Sequence, residues 1–290
     1  MVSHRGGTLA RVIGAQLDLF DDRHVKLEHA RRVFAEGRAA DAHRELVRLG
    51  QCYPADPEIA AERDLAHTIA RRLAEIDATA PCERPRLLVE LAGVAPAGLR
   101  APLWRRAALE LRDASGPTAL LDGKPASVLL LAAGDPAAAW ATANEAAHRE
   151  SRARFLSYLA DADHRLGHAA RARACYREAL ALDPYDVDWD EVADDEVRSL
   201  PDIARTELEL EDGVAWSAPV GVVLRVLPVG EPPCLADPVR DRPHDPLAQA
   251  RGFLAALIQA TREPGANAIE ARRQMRRLAP RLLAAYLESR

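Results

Sequence analysis

The sequence predicts an all-α protein, and three observations carry that expectation. Hydrophobic residues make up 48% of the chain but aromatic residues only 4%. Alanine and leucine therefore supply most of the apolar surface, and both lose little side-chain freedom in a helix. Apolar positions recur at helical spacing through most of the 290 residues. Glycine and proline fall between these stretches, at Gly37, Pro54, Gly134, Gly167 and Pro184, where helices turn or stop.

The elements follow in chain order. Met1–Ala15 is basic, contains glycine and has no periodicity, so residues 1–21 are expected to form a flexible tail. Helical patterning starts at Asp22. Glu58–Ile76 sets Ile59, Ala66, Ile69, Leu73 and Ile76 on one stripe. A short helix is expected over Pro85–Leu91 and a longer one over Leu99–Leu111, with loops at Thr79–Pro85 and Ser115–Pro125. Ala126–Ala133 and Pro136–His148 form a helical pair joined by Gly134-Asp135, with Pro136 suited to a first turn. Another pair follows, Arg154–Arg165 and the helix after Gly167. Asp183–Asp212 is acidic, with thirteen Asp/Glu against Arg198 and Arg205. Val214–Val229 fits either a short buried helix or a hairpin, and Gly230–Pro246 is a proline-rich loop. Two helices close the chain, Leu247–Arg262 and Ala266–Glu288, linked by Pro264-Gly265, with Pro280 expected to kink or split the second.

A repeat organises this series. Leu166–Pro184 runs L-G-H-A-A-R-A-R-A-C-Y-R-E-A-L-A-L-D-P. Gly37, Ala42, Leu46, Leu49 and Pro54 stand at the same offsets as Gly167, Ala172, Tyr176, Ala179 and Pro184, each 130 residues earlier. A small residue marks the helix crossing, and apolar residues follow on one face. The pattern resembles the tetratricopeptide repeat (TPR), over about two units of roughly 34 residues. The resemblance implies a right-handed stack of helical hairpins with a concave, protein-binding surface. It divides the chain into a tail (1–21), a TPR-like array (22–186), an acidic and proline-rich connecting region (187–246) and a divergent C-terminal helical pair (247–290). It also implies groove positions Arg154, Ser157, Asp161, His164 and Arg165 in the late unit, and His24, Leu27, Arg31 and Phe34 in the early one. The lysine/asparagine clamp that some TPR proteins use for C-terminal carboxylates is not visible.

One short motif is sharper. Gln16-Leu17-Asp18-Leu19-Phe20 resembles the pentapeptide by which bacterial replication and repair proteins dock on the DNA polymerase sliding clamp, and it meets every position of that pattern. The resemblance implies that Leu19 and Phe20 anchor in an apolar pocket while Gln16 hydrogen-bonds at its rim. The competing expectation is an apolar cap, with Leu17, Leu19 and Phe20 folded onto the first hairpin.

Chemistry-bearing motifs give little. Glu145-Ala-Ala-His148 has di-iron spacing but lacks its second copy. His164 and His168 straddle the turn at Gly167. Asp186-Val-Asp188-Trp-Asp190 starts like a calcium loop, yet Glu191 and Val197 stand where Gly and Glu are required. No nucleophile elbow, phosphate loop or dinucleotide fingerprint is present. Neither metal nor cofactor nor enzymatic activity is expected. Cys52, Cys82, Cys175 and Cys234 are far apart, which suits a reduced compartment. Arg272, Arg273, Arg276, Arg277 and Arg281 make a basic face, expected to complement the acidic stretch. Direct nucleic-acid binding is not expected at a net charge of −5. No signal peptide or membrane span is expected, and a bacterial cytoplasmic location is the default. The function expected is a protein-interaction scaffold or adaptor in a bacterial multiprotein assembly. The alternative is a sliding-clamp-associated accessory of DNA replication or repair.

Overall fold

The computed structural model describes residues 22–230, 245–263 and 265–288, which divide between Ser115 and Gly116 into two compact units. The fold is all-α. No helix among the described residues is long and apolar enough to cross a membrane.

The first unit holds α1 (22–35), α2 (Ala39–Cys52), α3 (Pro57–Asp77), α4 (Arg84–Val94) and α5 (Ala97–Ser115). Neighbouring helices pack in sequence, α2 on α3 and α4 on α5. Leu27 and Ala30 of α1, Leu46 and Leu49 of α2, and Ile59 and Ala66 of α3 share one core. Asp56 starts α3 by accepting the N–H groups of Glu58 and Ile59, as a helix with free N-terminal donors requires.

The second unit opens on a small hairpin, β1 (Leu120–Leu121) and β2 (Lys124–Pro125), antiparallel with Leu121 opposite Lys124. Sequence alone predicts a loop here, Ser115–Pro125. Asp122-Gly123 is the turn, with φ of 50° and 82°, as a two-residue primed turn needs. Then come α6 (Ala126–Ala132), α7 (Pro136–Arg149), α8 (Ala153–Arg165) and α9 (Ala169–Leu182). After them stand α10 (Asp195–Arg198), α11 (Leu200–Thr206), α12 (Ser217–Val223), α13 (Pro246–Arg262), α14 (Ala266–Leu278) and α15 (Pro280–Glu288). Val214–Val229 thus takes the helical alternative, and Pro280 splits the last helix.

Three helix-to-helix turns are built alike. Gly37, Gly134 and Gly167 have φ of 85°, 73° and 81°. The following N–H reaches back five residues, from Arg38 to Val33, Asp135 to Leu130 and His168 to Asp163, at 3.2, 2.9 and 2.9 Å. This left-handed closure ends the first helix, and the second starts two residues after the glycine. At the fifth, ninth and twelfth positions beyond each glycine stand Ala42, Leu46 and Leu49, then Ala139, Ala143 and Ala146, then Ala172, Tyr176 and Ala179. None is more than 4% exposed. From sequence, Gly134-Asp135 is only a turn; here it heads a third copy written entirely in alanine.

The apolar residues of the acidic stretch belong to the second unit's core. Val187, Val192, Val197, Leu200 and Ala204 join Tyr176, Trp216, Phe253, Met275 and Leu282 in a single core. Trp216 meets Phe253 edge-on at 5.9 Å. Arg251 of α13 donates to the Ala181 carbonyl at 3.1 Å, satisfying an acceptor at the end of α9. Of the connecting region expected over 187–246, the part 187–230 is packed against α8, α9 and α13.

Candidate functional site

The pentapeptide Gln16–Phe20, with Leu17, Asp18 and Leu19, lies outside the described residues. The late groove positions lie on α8, and the chain itself covers most of them. Arg154 donates through Nε to Asp186 at 2.8 Å, and Arg152 reaches the same oxygen at 2.8 Å. Tyr158 donates its hydroxyl to Asp188 at 3.2 Å. Ser157 is 1% exposed and donates back to the Arg154 carbonyl. Asp161 is 2% exposed; its Oδ1 accepts from the Tyr176 hydroxyl and from the Ala193 N–H, the latter at 2.9 Å. His164 stands 3.9 Å from Asp194, too far for a hydrogen bond. Of the five, Arg165 alone is fully exposed. As placed, Ser157 and Asp161 are closed to a partner, because residues 186–194 run over their face of the helix.

The 130-residue offset explains the difference between the units. Asp186 corresponds to Asp56, and both accept an arginine from the start of the first helix, Arg23 reaching Asp56 through Nε at 2.6 Å. After Asp56 the chain enters α3. After Asp186 it stays irregular as far as Asp194 and lies along α8, where Asp186, Asp188 and Ala193 meet Arg154, Tyr158 and Asp161.

Burial sets the electrostatics of this cluster. Desolvation raises the Asp161 carboxyl to about 7, against the hydrogen bonds from Tyr176 and Ala193 that favour its charge. Burial, the nearby Asp161 charge and the hydrogen bond to it push the Tyr176 hydroxyl far up. Burial also opposes ionised Asp194, but the Arg173 guanidinium at 2.8 Å and the N–H groups of Glu196 and Val197 together hold that carboxyl low.

The early groove positions behave differently. Leu27 is core at 1% exposure and His24 is exposed. Arg31 and Phe34 line an open hollow of about 240 Å3 together with Ala35, Glu62, Leu65, Pro96, Gly98 and Leu99. First-in-pair helix α1, then α3 and α5, thus form its walls. Leu65 is 39% exposed although it is a leucine. A Cβ built on Gly98 would sit 3.8 Å from the Ala35 methyl with no clash. Leu65, Pro96 and Gly98 belong to no motif in the sequence. The signal for Leu65 was its phase: it stands one residue off the buried stripe of Ile59, Ala66 and Ile69.

Other candidates resolve into ordinary pairs. Glu145 accepts from Arg149 at 3.0 Å and His148 contacts the Asn144 carbonyl, both on the surface of α7. No group of three metal-ligating side chains occurs among the described residues. Burial pushes the Cys175 thiol up to about 11, which keeps it protonated and unreactive. Arg281 meets Glu209 of the acidic stretch at 2.5 Å, while Arg273 and Arg277 pair with Glu270 of their own helix.

No protein-family model matches the chain, and neither a curated protein nor a solved structure matches it.

Proposed function

We propose that the chain is a protein-interaction scaffold with TPR-like hairpins, and that its working surface is the hollow of the first unit. The observation that supports this is the contrast between two related faces. The α8 face is filled by residues 186–194, whereas on the α1 face Phe34, Ala35, Leu65 and Leu99 surround a space that no described residue fills. A hollow of that size fits one leucine or phenylalanine side chain of a partner segment, the usual anchor of a peptide interface. The setting suited to this role is a bacterial cytoplasmic assembly, and the role requires no catalysis.

The test is selection of displayed peptides on the whole chain, followed by Leu65→Asp. Peptides with an apolar anchor should be enriched, and the variant should lose them while keeping its helical circular dichroism. Enriched peptides that bind the variant equally well would place the working surface elsewhere.

A second reading rests on Gln16–Phe20, which meets the clamp-docking pattern at every position and directly precedes α1. In that reading the chain is an accessory brought to the DNA polymerase sliding clamp, and the two roles are compatible.

A further inference from the structure

The hollow's rim carries more than apolar contacts. Arg23, Arg31, Glu28, Asp56, Glu58 and Glu62 form one connected ion network along α1 and α3. Arg31 alone gathers Glu28, Glu58 and Glu62, at 2.5, 2.6 and 2.5 Å. Within this network two guanidiniums face four carboxylates, a net of two negative charges, and Arg31 and Glu62 bring it to the hollow. Arg23 lowers Asp56 against the cost of its burial, and Arg23 and Arg31 lower Glu58. These carboxyls are therefore ionised throughout the neutral range. A carboxylate offers about four acceptor sites, so acceptor capacity remains after the arginines are engaged. Arg100, next in the chain to the lining residue Leu99, donates to the Ala95 carbonyl at 3.0 Å.

We infer that the partner segment is basic: an apolar anchor, leucine or phenylalanine, flanked by arginine or lysine. The inference rests on the hollow being the docking surface. The anchor's side chain enters between Phe34, Leu65 and Leu99, and the flanking cations meet Glu28, Glu58 and Glu62. An acidic flank would meet four carboxylates whose cationic partners are already taken, and like charges at an interface discriminate strongly against the wrong partner.

Three dye-labelled synthetic peptides test this on the full chain by fluorescence anisotropy. They share a central Leu-Phe and differ in flanks of three arginines, three serines or three glutamates. The arginine peptide should bind about tenfold tighter than the serine peptide at low salt, as two or three exposed ion pairs would give. That advantage should shrink toward 0.5 M salt, and the glutamate peptide should be weakest. In the Glu28→Lys/Glu58→Lys double variant the order should invert while the serine peptide keeps its affinity, which also shows that the hollow is intact. Equal binding of all three peptides would overturn the charge inference and leave the hollow standing as an apolar site. A charge preference that survives in the double variant would overturn it as well. No binding by any of the three would overturn both the inference and the assignment of the hollow.

Discussion

Tyr176 of α9 donates its hydroxyl hydrogen to Asp161 of α8, and both side chains are almost wholly cut off from water. The same carboxylate holds the Ala193 N–H, so one acidic group fastens two helices and the segment that crosses them.

That arrangement makes stability depend on pH. The folded-state value of Asp161 is raised from 3.8 to about 7, chiefly by desolvation. The stability it contributes is therefore complete below the ordinary carboxylate range and is lost as pH rises through 7. Asp161→Asn keeps an acceptor oxygen but does not titrate. Urea denaturation of both proteins at pH 5.5 and 8.5 should show the variant gaining on the wild type at the higher pH. A difference independent of pH would mean that Asp161 does not titrate in this window.

The three glycine-headed turns predict equal sensitivity at their crossings. Ala42→Leu, Ala139→Leu and Ala172→Leu each insert a branched side chain where exposure is 0%, and each should cost about 1–3 kcal/mol. Gly37→Ala should cost about 1–2 kcal/mol for its left-handed backbone alone, and its new Cβ would also lie 3.0 Å from Pro102. Thermal melts check all four. An Ala139→Leu protein as stable as the wild type would remove Gly134 from the set.

The related aspartates should both matter. Asp186→Ala strands Arg152 and Arg154 beside a partly buried site and should cost about 1–3 kcal/mol, in the range of charged hydrogen bonds. Asp56→Ala removes a helix cap as well as an ion pair, worth about 1–2 kcal/mol for the cap. Chemical denaturation measures both.

Charge reversal at Arg273 and Arg277 should do little. The sequence pairs this face with the acidic stretch, but only Arg281 of the five arginines reaches that stretch, at Glu209. Arg273→Glu with Arg277→Glu should change stability by about 0.5 kcal/mol or less, as exposed sites do. A large loss at low salt would restore the broader pairing.

The pentapeptide carries its own test. A peptide spanning Ala15–Asp21 should bind the sliding clamp of the same organism with micromolar affinity, about −8 kcal/mol. Leu19→Ala with Phe20→Ala should abolish that binding and leave the melting of the whole chain unchanged. A lowered melting temperature in the double variant would favour the cap instead.

Local rules made the helices legible. Pro280, Pro136 and Gly167 end or start helices for reasons contained in a few neighbouring residues, and the stripe through Ile59, Ala66 and Ile69 shows which side of α3 is buried. The Asp122-Gly123 hairpin was equally local and was passed over among the loop residues around it. What sequence did not disclose is which partner each charged residue would choose. Asp186 and Asp188 look like any solvated acidic run until Arg154 and Tyr158, some thirty residues away, are brought against them. The closing of the α8 face and the openness of the α1 face both follow from such distant pairings. The hollow likewise needs Leu65 and Gly98, more than thirty residues apart, to line the same space.

Gly98 leaves the groove with a wall made of nothing. Its φ is not in the left-handed region, and the space beside it reaches the Ala35 methyl without conflict. An alanine methyl is therefore admissible there, and a larger side chain at this position would take up part of the hollow. The size of the hollow is thus set by a single position whose own backbone does not require glycine.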